Sequence, residues 1–169
     1  AKVSMCCVTS GGCGHNKLNA EETGKLRFKE AKKAAAVLKS SLHWPGFTDA
    51  MVFSGEDLRH KMVDVIRMSK PDVIITHRTD DYQPDHKAIS TETWHAAFSA
   101  TLKNIKTSHP AHGILPPLYY MDSWISRTFI PTDYVDITGT FATKMKMFKC
   151  HESQYKWLLK HDGTDMLDL

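Results

Sequence analysis

The spacing of apolar residues changes several times along the chain, and each change predicts an element. Lys2–Thr9 is a short, mostly apolar run that reads as a strand. From Glu21 to Leu42 the apolar residues Phe28, Ala31, Ala35, Leu38 and Leu42 recur at spacings of three and four, which predicts one helix. Trp44-Pro45-Gly46 ends it and leaves His43 as a contact at the helix C-terminus. Asp49–Phe53 reads as a second strand, and a helix opens at Ser54 or Gly55 with Leu58, Met62, Val65 and Ile66 on one face. Ser54 and Asp57 have the spacing of a variant capping box, and Pro71 stops the helix. Val73-Ile74-Ile75 is uniformly apolar, as expected of a central parallel strand covered on both faces.

A third helix is expected over about 85–103, with Ile89, Thr93, Ala96, Ala97 and Ala100 inward. A long loop over 104–117 follows, with His109 and His112 read as solvent-exposed. Leu118–Met121 and Tyr134–Ile137 read as strands. A helix then opens at Thr138 or Thr140 and runs to Cys150, and a last helical segment covers Tyr155–Leu159. Alternating strands and helices predict an α/β fold: a Rossmann-like, mostly parallel sheet with helices on both faces. The polar clusters after Thr9, Thr76 and Met121 then fall at strand C-terminal ends, where open α/β sheets build their sites.

Composition narrows the classes. A length of 169 residues suits one domain spanning 1–169. The net charge of +3 comes without a basic stripe interleaved with aromatics, which argues against a nucleic-acid partner. No run of 18 apolar residues predicts a membrane span. Cys6, Cys7, Cys13 and Cys150 form no CxxC pair or framework, so reduced thiols in a cytoplasmic protein fit best. Ala1 leads almost directly into a strand and Leu169 follows no capping signal, so both ends read as cuts through a larger fold.

Two turns carry the candidate chemistry. Ser10-Gly11-Gly12-Cys13-Gly14 is a glycine-rich turn without GxGxxG or a P-loop lysine, so it supports a nucleotide- or phosphate-binding module only as an alternative. Arg27 and Glu30 flank the apolar stripe of the first helix, either as a solvated pair or as charge reaching back over that turn. The second turn is Thr79-Asp80-Asp81-Tyr82-Gln83-Pro84-Asp85-His86. Pro84 suits the first helical position and places Asp85 and His86 in the first turn. The helix dipole there disfavours imidazolium, and neutral imidazole is the metal-binding form. Asp85 or Asp81 could hold one nitrogen of His86 and leave the other for a metal; the bland alternative is that Asp81 or Gln83 caps the helix and His86 is a surface residue.

The ordered series Val8-Thr9-Ser10-Gly11-Gly12, Arg27–Ala31, Pro71–His77, Asp81–His86, Lys144 and His151-Glu152-Ser153-Gln154 resembles the LmbE/PIG-L-like zinc-dependent N-acetylglucosaminyl deacetylases. The resemblance implies hydrolysis of the acetamide of an N-acetylglucosamine-type substrate, with zinc or another divalent metal as cofactor. It implies a small amino-sugar conjugate as partner, and self-association into a homo-oligomer. It assigns His86 to the metal, Gln83 and Asp85 to catalysis, and Arg27 and Asp81 to substrate. Gln83 stands where the family usually has a His, so its amide can donate to an oxyanion but cannot carry charge. The family's His-Pro-Asp-Asp segment, with two further ligands and the general base, is not in this chain. The resemblance therefore implies a partial LmbE-like domain truncated at the first strand. It leaves open a catalytically incomplete sugar- or metal-binding remnant. His77, Asp80 and Asp81 lie near His86, but the geometry of a helix start argues against their completing the metal site.

Overall fold

The computed structural model describes all residues except Trp124, Ser126, Arg127 and Leu169. The chain divides into two compact units, residues 1–49 with 134–169, and residues 50–133.

The first unit is built on β1 (Ser4–Cys6), α1 (Ala20–Val37) and β2 (Ser41–His43). β1 and β2 pair in parallel, Ser4 opposite Ser41 and Cys6 opposite His43, with α1 as the crossover. Asn19 starts α1: its side chain accepts from the Glu22 N–H, and the Glu22 carboxylate accepts from the Asn19 N–H. Thr23, Glu30, Ala31, Ala34 and Ala35 are its buried residues. A 3-10 turn (Thr138–Thr140), α4 (Phe141–Phe148) and α5 (Glu152–Asp162) complete this unit. The buried Glu30 carboxylate accepts from the Ser153 N–H at 2.8 Å and its hydroxyl at 2.7 Å. A charge from α1 thus satisfies donors at the positive end of α5.

The second unit runs α2 (Glu56–Ser69), β3 (Ile74–His77), α3 (Pro84–Ser99) and β4 (Leu118–Met121). β3 and β4 are parallel, Ile74 opposite Leu118 and His77 opposite Met121, again joined through a helix. Leu58, Met62, Val63 and Ile66 of α2 are buried, as are Ala88, Ile89, Thr93, Ala96 and Ala97 of α3. Parallel strands joined through helices are the α/β pattern that the alternation predicts.

Several local expectations are corrected. The first helix ends at Val37, because Lys39 turns left-handed (φ 53°) and Ser40 returns its N–H and hydroxyl to the Ala35 carbonyl. Leu42 and His43 lie in β2, so His43 is a strand residue. Asp49–Phe53 is no strand: Ala50 is left-handed (φ 61°), and the N–H groups of Ala50 and Val52 donate to the Asp85 carboxylate at 2.8 and 3.1 Å. Gly55 precedes α2 without any side-chain cap, so the Ser54/Asp57 box does not form. β3 is covered on one face only; Thr76 is buried while Ile75 is 67 % exposed. Tyr134–Ile137 has no ladder partner among the described residues, and Tyr134 is 85 % exposed.

The long loop after α3 is fastened, not free. Arg67 of α2, itself buried, donates to the carbonyls of Ala100, Leu102, Ile105 and His109. His109 Nδ1 lies 2.9 Å from Asp64, and His112 Nε2 lies 3.0 Å from the Pro71 carbonyl. Neither histidine is the solvent-exposed side chain expected.

Candidate metal centre

β3 ends at His77, α3 begins at Pro84, and the six-residue turn between them brings Asp81 beside His77 and His86. Asp81 sets the turn: its Oδ1 accepts from the Gln83 N–H at 2.9 Å. That fold-back places Pro84 at the first helical position and His86 in the first turn. Asp81 Oδ2 then lies 3.2 Å from His86 Nδ1, its side chain 0 % exposed against 31 % for His86. The approach is off-axis for a straight hydrogen bond, so both buried atoms keep bonding capacity.

His77, Asp81 and His86 each bring a ligand atom within 4.8 Å of the others. The His77 and His86 rings stack with centroids 3.9 Å apart and planes 2° apart, and Tyr82 stands edge-on to His86 at 6.3 Å. Burial first, with His86 alongside, pushes the His77 pKa down to about 4, so that imidazole is neutral near pH 7. Burial opposes ionisation of Asp81, but the Gln83 N–H, His86 and His77 outweigh it and hold the carboxyl below its ordinary value. A carboxylate beside imidazole nitrogens is a donor set that suits a divalent metal. The cluster fits one through His86, whose Nδ1 faces Asp81 and whose Nε2 is then the ligating atom.

The other residues named from the sequence divide clearly. Gln83 is the exposed N-cap residue of α3, with its side chain making no capping bond. Asp85 does not meet Gln83 or His86 through any hydrogen bond among the described residues; it holds the 50–52 backbone instead. Asp81, which the resemblance assigns to substrate, has its carboxylate fully buried in the turn. His77 is the residue that sequence reasoning set aside. The signal was its place at the strand end, nine residues before His86, but stacking across a turn has no local periodicity. Arg78 and Asp80 alternate with His77 and Asp81 and face elsewhere. The buried Arg78 guanidinium pairs bidentately with Asp80, donates to Thr128 at 3.0 Å, and lies 5.4 Å from the Phe129 ring.

In the first unit, Arg27 reaches back over the glycine-rich turn and donates to the carbonyls of Gly11 and Gly14. Its Nε is buried without a hydrogen-bond partner. Burial lowers the Arg27 pKa, with Asp49 and Glu30 opposing. The Asp49 carboxylate accepts from Thr9 Oγ1 and from the Cys13 N–H at 3.0 Å. Gly11 is left-handed (φ 65°), and a side chain on Gly12 would meet the Ala20 carbonyl at 2.7 Å, so glycine is required at both. A carboxylate takes the Cys13 N–H of this turn and a guanidinium reads its carbonyls.

Comparison with known proteins decides the family. The model of the PIG-L family, described as GlcNAc-PI de-N-acetylase, matches residues 1–97, more than half of the chain. The chain belongs to the PIG-L family. Diacetylchitobiose deacetylase of Thermococcus kodakarensis is 25 % identical in an alignment of 162 residues that covers 88 % of this chain and 57 % of that protein. The chain thus spans little more than half the length of this curated PIG-L relative. Two solved structures share the fold. N,N'-diacetylchitobiose deacetylase from Pyrococcus horikoshii has a TM-score of 0.78 at 21 % identity, over 96 % of this chain and 64 % of that one. GalB, the 4-carboxy-2-hydroxymuconate hydratase of Pseudomonas putida KT2440, has a TM-score of 0.78 at 21 % identity, over 92 % and 69 %. A deacetylase and a hydratase on one fold show that the reaction must be argued from the site. Among the described residues, no helix is long and apolar enough to cross a membrane.

Proposed function

We propose that this PIG-L chain serves the metal-dependent hydrolysis of the acetamide of an N-acetylglucosamine-type substrate, a small amino-sugar conjugate. The observation that carries the reading is His86, held in the first turn of α3 with a buried carboxylate at Nδ1. That is the orientation by which a histidine offers Nε2 to a metal. When bound, zinc or another divalent ion supplies Lewis acidity toward the acetyl carbonyl and a nucleophilic water near neutral pH. Gln83, exposed at the positive end of α3, donates its amide to the oxygen that gains charge, a neutral donor worth less than a charged one. Asp81 fixes the turn and the imidazole. Asp85 anchors the helix start through the Ala50 and Val52 backbone and so acts on catalysis through position. Arg27 shapes the glycine-rich turn through the Gly11 and Gly14 carbonyls. Its four cysteines are free thiols, consistent with a cytoplasmic setting.

The test is release of acetate from N-acetylglucosamine conjugates, with and without chelator, for the protein and for His86→Ala. Zinc-restored activity that His86→Ala lacks supports the reading. Activity that survives both chelation and His86→Ala overturns it. Zinc binding that depends on His86 without turnover would mark a metal-binding remnant instead.

A further inference from the structure

We propose that His77 is the platform on which His86 is set, and not a second ligand beside it; the inference rests on the metal reading of His86. A metal lies in the plane of each imidazole that binds it, because the nitrogen lone pair lies in that plane. The two rings here are parallel within 2° and 3.9 Å apart, so their planes share no point where one ion could satisfy both. Stacking instead fixes the face of the His86 ring. Asp81 Oδ2, 3.2 Å from Nδ1, fixes its rotation within that plane. Tyr82 meets it edge-on from another direction. These contacts leave Nε2 as the vertex for the metal.

The platform is anchored. The His77 carbonyl accepts from the hydroxyl of Ser90 at 2.5 Å, and Ser90 is fully buried. Ser90 lies one turn beyond His86 on the same face of α3, so the strand end is tied directly to the helix that carries His86. His77 thereby acts through another residue, and its role is positional.

His77→Phe tests this directly, because it keeps a flat ring and removes both nitrogens. Zinc binding by calorimetry, the visible spectrum of bound cobalt(II), and the ring 15N signals of His86 in metal-free protein are the readouts. His77→Phe should bind zinc within about threefold of the unaltered protein, and His77→Ala should lose about 10- to 100-fold, as when an orienting group is removed. His86→Ala should lose binding altogether. If His77→Phe falls as far as His86→Ala, His77 is a ligand and the proposal is overturned. Equal binding by His77→Ala and unaltered protein also overturns it. Should His77→Ala fail to fold, His77→Phe alone decides between ligand and platform. If the unaltered protein binds no zinc, the metal reading fails by itself. The 15N signals still decide the platform: a single Nδ1–H form of His86, kept in His77→Phe and averaged in His77→Ala, is expected. No change in either variant overturns it.

Discussion

The two strand-to-helix turns, residues 10–15 after β1 and 78–83 after β3, use polar groups in opposite ways. In the first, the groups largely satisfy one another, with Arg27 Nε the exception. Arg27 takes the Gly11 and Gly14 carbonyls, Asp49 takes the Cys13 N–H, and His15 Nδ1 accepts from the N–H groups of Lys17 and Leu18. In the second, Arg78 and Asp80 satisfy each other, while Asp81 and His86 retain buried atoms with capacity left over. A turn full of charge is therefore not in itself a site. The difference lies in what is left over: one guanidinium N–H in the first turn, a carboxylate oxygen beside an imidazole nitrogen in the second.

That contrast can be broken at His86. His86→Ala should abolish metal binding measured by calorimetry, whereas replacing His15 should leave it unchanged. The next largest effect should come from Asp85→Ala, which strips the Ala50 and Val52 N–H groups of a charged acceptor. Urea unfolding should show a loss of about 3 kcal/mol, against near-neutral results if the 50–52 backbone finds water instead.

Acid sharpens the comparison. The folded pKa of His77, about 4, lies below its ordinary 6.5, so the unfolded chain binds more protons between those values. The stability tied to neutral His77 is fully present above pH 6.5 and is lost as pH falls toward 4. In metal-free protein this should amount to about 2 kcal/mol after allowance for partial exposure. A pH series of unfolding midpoints that is no steeper than that of His77→Phe would contradict it. The smallest effect is expected in the first turn: Arg27→Lys cannot reach both carbonyls and should cost about 1 kcal/mol in thermal or urea unfolding, with metal binding unaltered.

Much of this was legible where neighbours in sequence are neighbours in space. The inward faces of α2 and α3, Pro84 at the first helical position and Arg27 over the glycine-rich turn all follow from spacings of one helical turn or from local turn chemistry. The failures share a cause. Leu38 and Leu42 continue the stripe of α1, yet the left-handed Lys39 converts the second into a strand residue. Asp85 reads by position as a group that orients Gln83 or His86, but its hydrogen-bond partners lie 33 and 35 residues upstream. The capping box expected at Ser54 forms at Asn19 instead, where the reciprocal Glu22 is long enough to reach back. His77 was visible as a residue type; its stacking on His86 required the turn to close.

The Arg67 anchor bears on how such a chain can vary in length. One buried guanidinium holds carbonyls at 100, 102, 105 and 109, so residues inserted between 100 and 109 would pull a bound oxygen off a buried cation. Beyond His112, Gly113–Leu115 carry no such tie among the described residues. Relatives with longer connections to β4 should gain their extra residues there, leaving the knot around Arg67 at constant length.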